Sequence, residues 1–326
     1  MKLASRRHGR DGALLVVSRD LAMAVGAASI APTLQAALDD WQRAAPALTQ
    51  LYGKLNAGDA PGAFALDPAS LDAPLPRAWQ WLDGSVFPQH AALMSRAFNR
   101  PNIEHEFPLM YQGMSHRFLG PRDPVRFCSE ADNIDFEGEF AVITGEVPMG
   151  ADRARAGAAI KLVMQVNDWS LRRFAAIEVK TGFGWLLAKP ACSAAPIVVT
   201  PDELGLLWRD HRVDATLEVR RGEEVFGRVP GGEMGCGFDE LVAHAARTRD
   251  LCAGTIIGSG TVSSSRHAET GSCCISERQA IEMIAQGSVR TSYLQFGERV
   301  RMAAFAPDSR MPLFGEMDNL VAQGSI

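Results

Sequence analysis

The stretch Ile134-Asp135-Phe136-Glu137-Gly138-Glu139-Phe140-Ala141-Val142-Ile143-Thr144-Gly145 alternates acidic and apolar residues, then runs into an apolar tail. A period of two is the signature of a β-strand. On such a strand Asp135, Glu137 and Glu139 project to one face, and Phe136 and Phe140 to the other. The tail at 140–143 reads as buried, which argues against a fully solvated acidic face. Three carboxylates on one face repel unless water or a cation separates them. A hard divalent cation with oxygen ligands is one solution. An edge strand with a charged outer face is the other, and this stretch taken alone leaves both open.

Outward from that strand, residues 76–326 carry short β-like runs separated by turns. Candidate strands fall at 139–144, 215–220, 256–258, 273–276 and 299–305. The pattern predicts helices at 158–166 and 238–251, and one opening at Thr200-Pro201-Asp202-Glu203, which has a capping threonine, a proline at the first helical position and a glutamate three residues after the cap. Strands and helices do not interleave regularly. This predicts an α+β, β-rich domain rather than a doubly wound sheet. Residues 1–75 read as a small leading domain: a β-like run at 12–18, an apolar segment at 19–25, and a helix at 33–52 that Pro46 should kink or break. The Gly, Ala, Asp and Pro of 58–76 suit a linker.

The chain has 326 residues, a formal net charge of −5, 47% hydrophobic and 22% charged residues. That is the profile of an ordinary soluble protein with enough chain for a sizeable core. No long basic run supports nucleic-acid binding. The longest early apolar stretch, 21–31, is stopped by Pro32 and is too short to span a bilayer. The expectation is a cytoplasmic protein with no membrane partner. Six cysteines, at 128, 192, 236, 252, 273 and 274, include no CxxC and fit a reduced compartment.

Four clusters join the acidic strand: Trp81-Leu82-Asp83 with His90 seven residues on; Asn167-Asp168-Trp169-Ser170-Leu171-Arg172; Lys189-Pro190 ahead of Pro196-Ile197-Val198-Val199; and Gly258-Ser259-Gly260-Thr261-Val262-Ser263, followed by Gly271-Ser272 and Glu277. In this order they resemble the fumarylacetoacetate hydrolase family. The acidic strand matches its D-x-E-x-E, NDWSLR its N-D-W-S-x-R, and GSGTVS its G-S-G-T-[IV]-S. The resemblance covers about residues 76–305, behind a family-like small N-terminal domain, and implies a mixed β-roll catalytic domain.

The resemblance implies a metal site of Asp83, Glu137, Glu139 and Asp168, with Asp135 as an outer acceptor. Four oxygen ligands without His or Cys suit Mg²⁺ first, and Ca²⁺ or Mn²⁺ next, rather than zinc. It also implies His90 as catalytic base, paired with a glutamate after Gly-Ser. Ungapped alignment puts Ile275 there, so Glu277, two residues on, is the candidate. Lys189 is the implied catalytic cation, with Lys180 as its rival. Arg172, Tyr111 and Thr261 are the implied substrate contacts. The implied reaction is hydrolysis of a carbon–carbon bond in a 1,3-diketo acid, foremost fumarylacetoacetate in tyrosine and phenylalanine catabolism. Alternatives are an acylpyruvate hydrolase, an oxaloacetate decarboxylase, or a non-catalytic binder of metal and diacid. A homodimer is implied by the family alone.

Overall fold

The computed structural model describes residues 1–98 and 106–324. The chain opens with an antiparallel meander, β1 (Lys2–Arg6), β2 (Ala13–Val17) and β3 (Met23–Gly26), followed by α1 (Leu34–Asp39), α2 (Trp41–Ala57) and the short β4 (Phe64–Ala65). Next come β5 (Trp81–Gly84), α3 (Pro88–Phe98), β6 (Met110–Gly113), β7 (Val125–Phe127), β8 (Ile134–Asp135) and β9 (Gly138–Thr144). The middle of the chain forms α4 (Arg153–Ala159), β10 (Ile160–Asn167), β11 (Ser170–Leu171), α5 (Arg172–Glu178), β12 (Ser193–Ala194) and β13 (Ile197–Val199). The last part forms β14 (Trp208–Arg209), β15 (Arg212–Val213), β16 (Thr216–Arg221), β17 (Glu224–Pro230), α6 (Phe238–Ala245), β18 (Ile256–Gly258), α7 (His267–Thr270), α8 (Ile275–Gln286), β19 (Arg299–Phe305) and β20 (Met317–Gln323).

An 11-stranded sheet runs β4-β3-β2-β1-β13-β10-β9-β18-β5-β6, with β12 also on β10. A 5-stranded sheet runs β17-β16-β19-β20-β7. The mixed, β-rich fold is therefore as expected. The leading segment adds its meander to the same large sheet, through β1 against β13 with Leu3 opposite Val198.

Central position explains why β9 is apolar on both faces. Phe140 and Val142 pack with Leu217, Val219 and Met302 of the smaller sheet. Ala141 and Ile143 pack with Leu162, Val198 and Leu48 under α2. Gly138 sits where the sheets approach: a β-carbon there would lie 2.9 Å from Leu217.

Several local expectations change. The run at 158–166 is helical only as far as Ala159, then becomes β10. Its apolar residues are buried on both sides of a central strand, which short apolar runs do not distinguish from a buried helix. The α1–α2 break falls at Asp40, whereas Pro46 is carried inside α2, which continues to Ala57 and ends on left-handed Gly58. Thr200 makes no side-chain cap, and the turns after it are 3₁₀ with a non-helical Gly205. The helix expected at 238–251 ends at Ala245 and tightens into a 3₁₀ turn. Residues 273–276 are not a strand. Cys274 is the N-cap of α8, and its sulfur accepts from the Glu277 N–H.

The acidic stretch changes partners as it runs. Ile134 and Asp135 pair with β11, Glu137 bridges Cys274, and Gly138–Thr144 enters the large sheet. Its three acids therefore meet three environments instead of sharing one face.

Candidate active site

The end of β5, the start of β9, the end of β10 and the end of β18 come together across four neighbouring interior strands of the large sheet, because β18 runs parallel to β5 and antiparallel to β9, as β10 does. This brings Asp83, Glu139 and Asp168 together, with one carboxylate oxygen from each lying within 4.8 Å of the others. All three are buried. Among the described residues, neither buried oxygen of Glu139 has a hydrogen-bond partner. Burial, then the neighbouring carboxylate of Asp168, pushes Asp83 well above the usual carboxylate range. Burial, then Asp83 and Asp168, does the same to Glu139. The orphaned oxygens of Glu139, beside two more desolvated carboxylates, fit a divalent cation, whose charge replaces lost water. The donor set is all oxygen, as hard cations require.

Glu137 stands beside this cluster with both oxygens held by cations. Arg172 Nη2 donates to Oε1 at 2.6 Å, and Lys189 Nζ donates to Oε2 at 2.5 Å. Burial pushes Glu137 up, but Lys189 and Arg172 outweigh it and hold the carboxyl below its ordinary range. Lys189 also donates to Asp168 Oδ2, and is raised because Asp168 and Glu137 outweigh its burial. Lys180, by contrast, is exposed. Arg172 Nε donates to Asp135 Oδ2 at 2.8 Å. An unbroken chain of ion pairs thus runs Asp135–Arg172–Glu137–Lys189–Asp168.

The Asn-Asp-Trp-Ser segment serves this chain. Asn167 Oδ1 accepts the Glu137 N–H at 2.9 Å, and buried Trp169 donates to Ser193 at 2.9 Å. The Tyr111 hydroxyl donates to Asp168 Oδ2 at 2.5 Å. So Tyr111 and Arg172, expected to touch substrate, are both bound to carboxylates of the site. Thr261 is buried immediately after Gly260, whose N–H donates to Asp83 Oδ1 at 3.1 Å.

His90, in the first turn of α3, points Nδ1 at Glu277 Oε2, 2.7 Å away. Glu277 is fully buried and lies in the first turn of α8, and Ile275 belongs to the core. Sequence reasoning missed the helix start here, although Cys274-Ile275-Ser276-Glu277 has the spacing of a capping box with sulfur in place of a hydroxyl; only the N-cap half of it forms, because the Glu277 carboxylate turns to His90. It also missed Cys192, whose thiol donates to Asp168 Oδ1 at 3.0 Å. No spacing signals that contact.

Residues 80–321 match the model of the fumarylacetoacetate (FAA) hydrolase C-terminal region, and residues 1–77 that of fumarylacetoacetase N-terminal domain 2. The chain belongs to the fumarylacetoacetate hydrolase family. It is therefore similar to enzymes that include hydrolases and isomerases. Maleylpyruvate hydrolase from Sphingobium sp. SYK-6, in complex with manganese(II) and pyruvate, shares the fold at a TM-score of 0.67, with 17% identity and 100% of both chains covered. The 5-carboxymethyl-2-hydroxymuconate delta-isomerase of Mycobacterium smegmatis shares it at 0.56, with 19% identity over 81% of this chain and 84% of that one. Mitochondrial oxaloacetate tautomerase fahd2 of Xenopus laevis is 26% identical over 103 residues, which are 29% of this chain and 30% of that protein. Among the described residues, no helix is long and apolar enough to cross a membrane.

Proposed function

We propose that this fumarylacetoacetate hydrolase family member hydrolyses a carbon–carbon bond of a 1,3-diketo acid, foremost fumarylacetoacetate, to fumarate and acetoacetate. The observation that carries the reading is the His90–Glu277 pair at 2.7 Å, together with the three-carboxylate cluster. Asp83, Glu139 and Asp168 would hold a divalent cation, Mg²⁺ foremost with Ca²⁺ or Mn²⁺ as alternatives, and Glu137 would complete the site through its contacts to Lys189 and Arg172. When bound, that cation supplies positive charge to the diketone oxygens.

The remaining chemistry belongs to the side chains. Glu277 accepts a hydrogen bond from His90 Nδ1–H and fixes the tautomer, so Nε2 carries the lone pair that takes a proton from water. The carboxylate of Glu277 then stabilises the imidazolium. Hydroxide adds to the carbonyl, the carbon–carbon bond breaks towards the enolate side, and the proton on His90 returns to the leaving carbon. Lys189 keeps a positive charge beside the site while that negative charge develops. Tyr111 and Arg172 orient the carboxylates to which they are bonded, and Thr261 lies next to the loop that holds Asp83.

A second reading, tautomerisation or isomerisation of a 2-oxo diacid, is supported by the match to oxaloacetate tautomerase. There His90 would move a proton on substrate carbon without adding water. Assaying fumarylacetoacetate, acylpyruvates and oxaloacetate with and without a chelator separates the two. Loss of the diketone absorbance with two acid products supports hydrolysis. Enol–keto exchange alone supports tautomerisation.

A further inference from the structure

We propose that Asp135 is a positioning residue for the proton-transfer pair, acting through the N-terminus of α8. The inference rests on the reading of His90 and Glu277 given above, and concerns what holds Glu277 in place.

The first turn of a helix leaves N–H groups without intrahelical partners. In α8 those of Ile275 and Ser276 donate to Asp135, at 2.7 Å to Oδ1 and 3.0 Å to Oδ2. The Ser276 hydroxyl adds a third bond to Oδ2 at 2.9 Å. The Glu277 N–H goes to Cys274 sulfur at 3.3 Å. Asp135 is fully buried and lies 140 residues from Ile275 in sequence. The first turn of α8 is therefore fixed by a carboxylate from the acidic stretch as well as by its local Cys274 cap. A negative charge there also complements the helix dipole.

Glu277 sits in that same turn. If the Asp135 anchor slackens, the turn frays, and the carboxylate loses its place 2.7 Å from His90. Asp135 Oδ2, which takes both Ser276 bonds, also accepts from Arg172, which in turn holds Glu137. One carboxylate thus ties the dyad-bearing helix to the ion-pair chain that ends at Asp168. A side chain lying on the acidic strand yet not facing the carboxylate cluster thereby acquires a role distinct from metal binding.

The test is long-range ¹H–¹⁵N spectroscopy of the His90 ring in ¹⁵N-histidine-labelled full-length protein, with resonances assigned through His90→Ala. Glu277→Gln moves the Nδ1 signal, and Asp135→Asn is expected to move it in the same direction. Ser276→Ala removes one bond to Asp135 and is expected to give a smaller shift of the same sign, and serves if Asp135→Asn does not fold. On a substrate that the wild type turns over, Asp135→Asn should lower kcat about 10–100-fold, the range known for side chains that orient a metal ligand from behind, with little change in KM. In the Glu277→Gln background the same change should cost little more. A His90 signal unmoved in both variants while Glu277→Gln shifts it would overturn the proposal, as would full multiplication of the two losses. Failure of the hydrolase reading shows differently, as no turnover of any diketo acid by wild-type protein, and leaves the spectroscopic test intact.

Discussion

The Gly258 backbone lies so close to Asp83 that a β-carbon there would fall 2.3 Å from Asp83 Oδ1 and 2.4 Å from the Trp81 ring. Two residues on, Gly260 has φ +78°, and its N–H donates to the same oxygen. The glycine-rich turn thus forms a cradle for a carboxylate of the protein itself. Such turns usually signal an anion-binding ligand site.

Gly258→Ala should therefore displace Asp83 before it damages the rest of the site. The expected result is weakened Mn²⁺ binding by calorimetry, with the far-ultraviolet spectrum of the fold retained. Unchanged affinity would mean that Asp83 moves freely or is not a ligand.

Glu139 offers a cleaner test, because its buried oxygens have no hydrogen-bond partner among the described residues. Glu139→Gln should lower Mn²⁺ affinity by more than about 100-fold, beyond what loss of an outer partner costs. It should not lower the thermal stability of the metal-free protein, since it removes a desolvated charge. A marked loss of metal-free stability would show that Glu139 has a structural partner after all.

The same carboxylates set a pH dependence. Burial raises Asp83 and Glu139 in the fold, so the metal-free fold binds more protons than the unfolded chain. Their contribution to stability is present at low pH and lost as pH rises from the ordinary carboxylate range, about 4, through the raised values. A cation takes the ionised form. The increase in Tm produced by Mn²⁺ should therefore grow with pH across that window. An increase independent of pH would contradict the assignment of these groups to the cation.

Lys189 and Lys180 separate by environment. Lys189 pairs with two buried carboxylates, and removing one partner of a buried pair typically costs about 3–5 kcal/mol. Lys189→Met should lower both stability and turnover, measured by denaturant unfolding and by kcat. Lys180 is exposed, and Lys180→Met should change stability by no more than about 0.5 kcal/mol. The reverse order would make Lys180 the functional lysine.

Much of this site was legible because its residues sit in short segments whose chemistry is local: Asp83 with His90, the acid alternation, and Asn167 to Arg172. The β-rich class was legible too, from strands that do not alternate with helices. What period alone could not reveal was the change of partner along the acidic stretch. Alternation places Asp135, Glu137 and Glu139 on one face, but pairing with β11, Cys274 and β10 in turn gives each its own surroundings. The apolar run that became β10 was ambiguous for the opposite reason, since burial on both faces erases period two. At α8 the cap was written with cysteine, and its second anchor, Asp135, is too distant in sequence for local reading to find.

If the His90–Glu277 pair activates water for carbon–carbon cleavage, an oxygen of that water ends in one product. Turnover of fumarylacetoacetate in H₂¹⁸O, followed by mass spectrometry of the products, reads this out. The expected result is one ¹⁸O in the carboxylate of a single cleavage product, and a rate about 10²–10⁴-fold lower in His90→Ala with Mn²⁺ affinity retained. Conversion without label, or to an uncleaved tautomer at wild-type rate in His90→Ala, would contradict it.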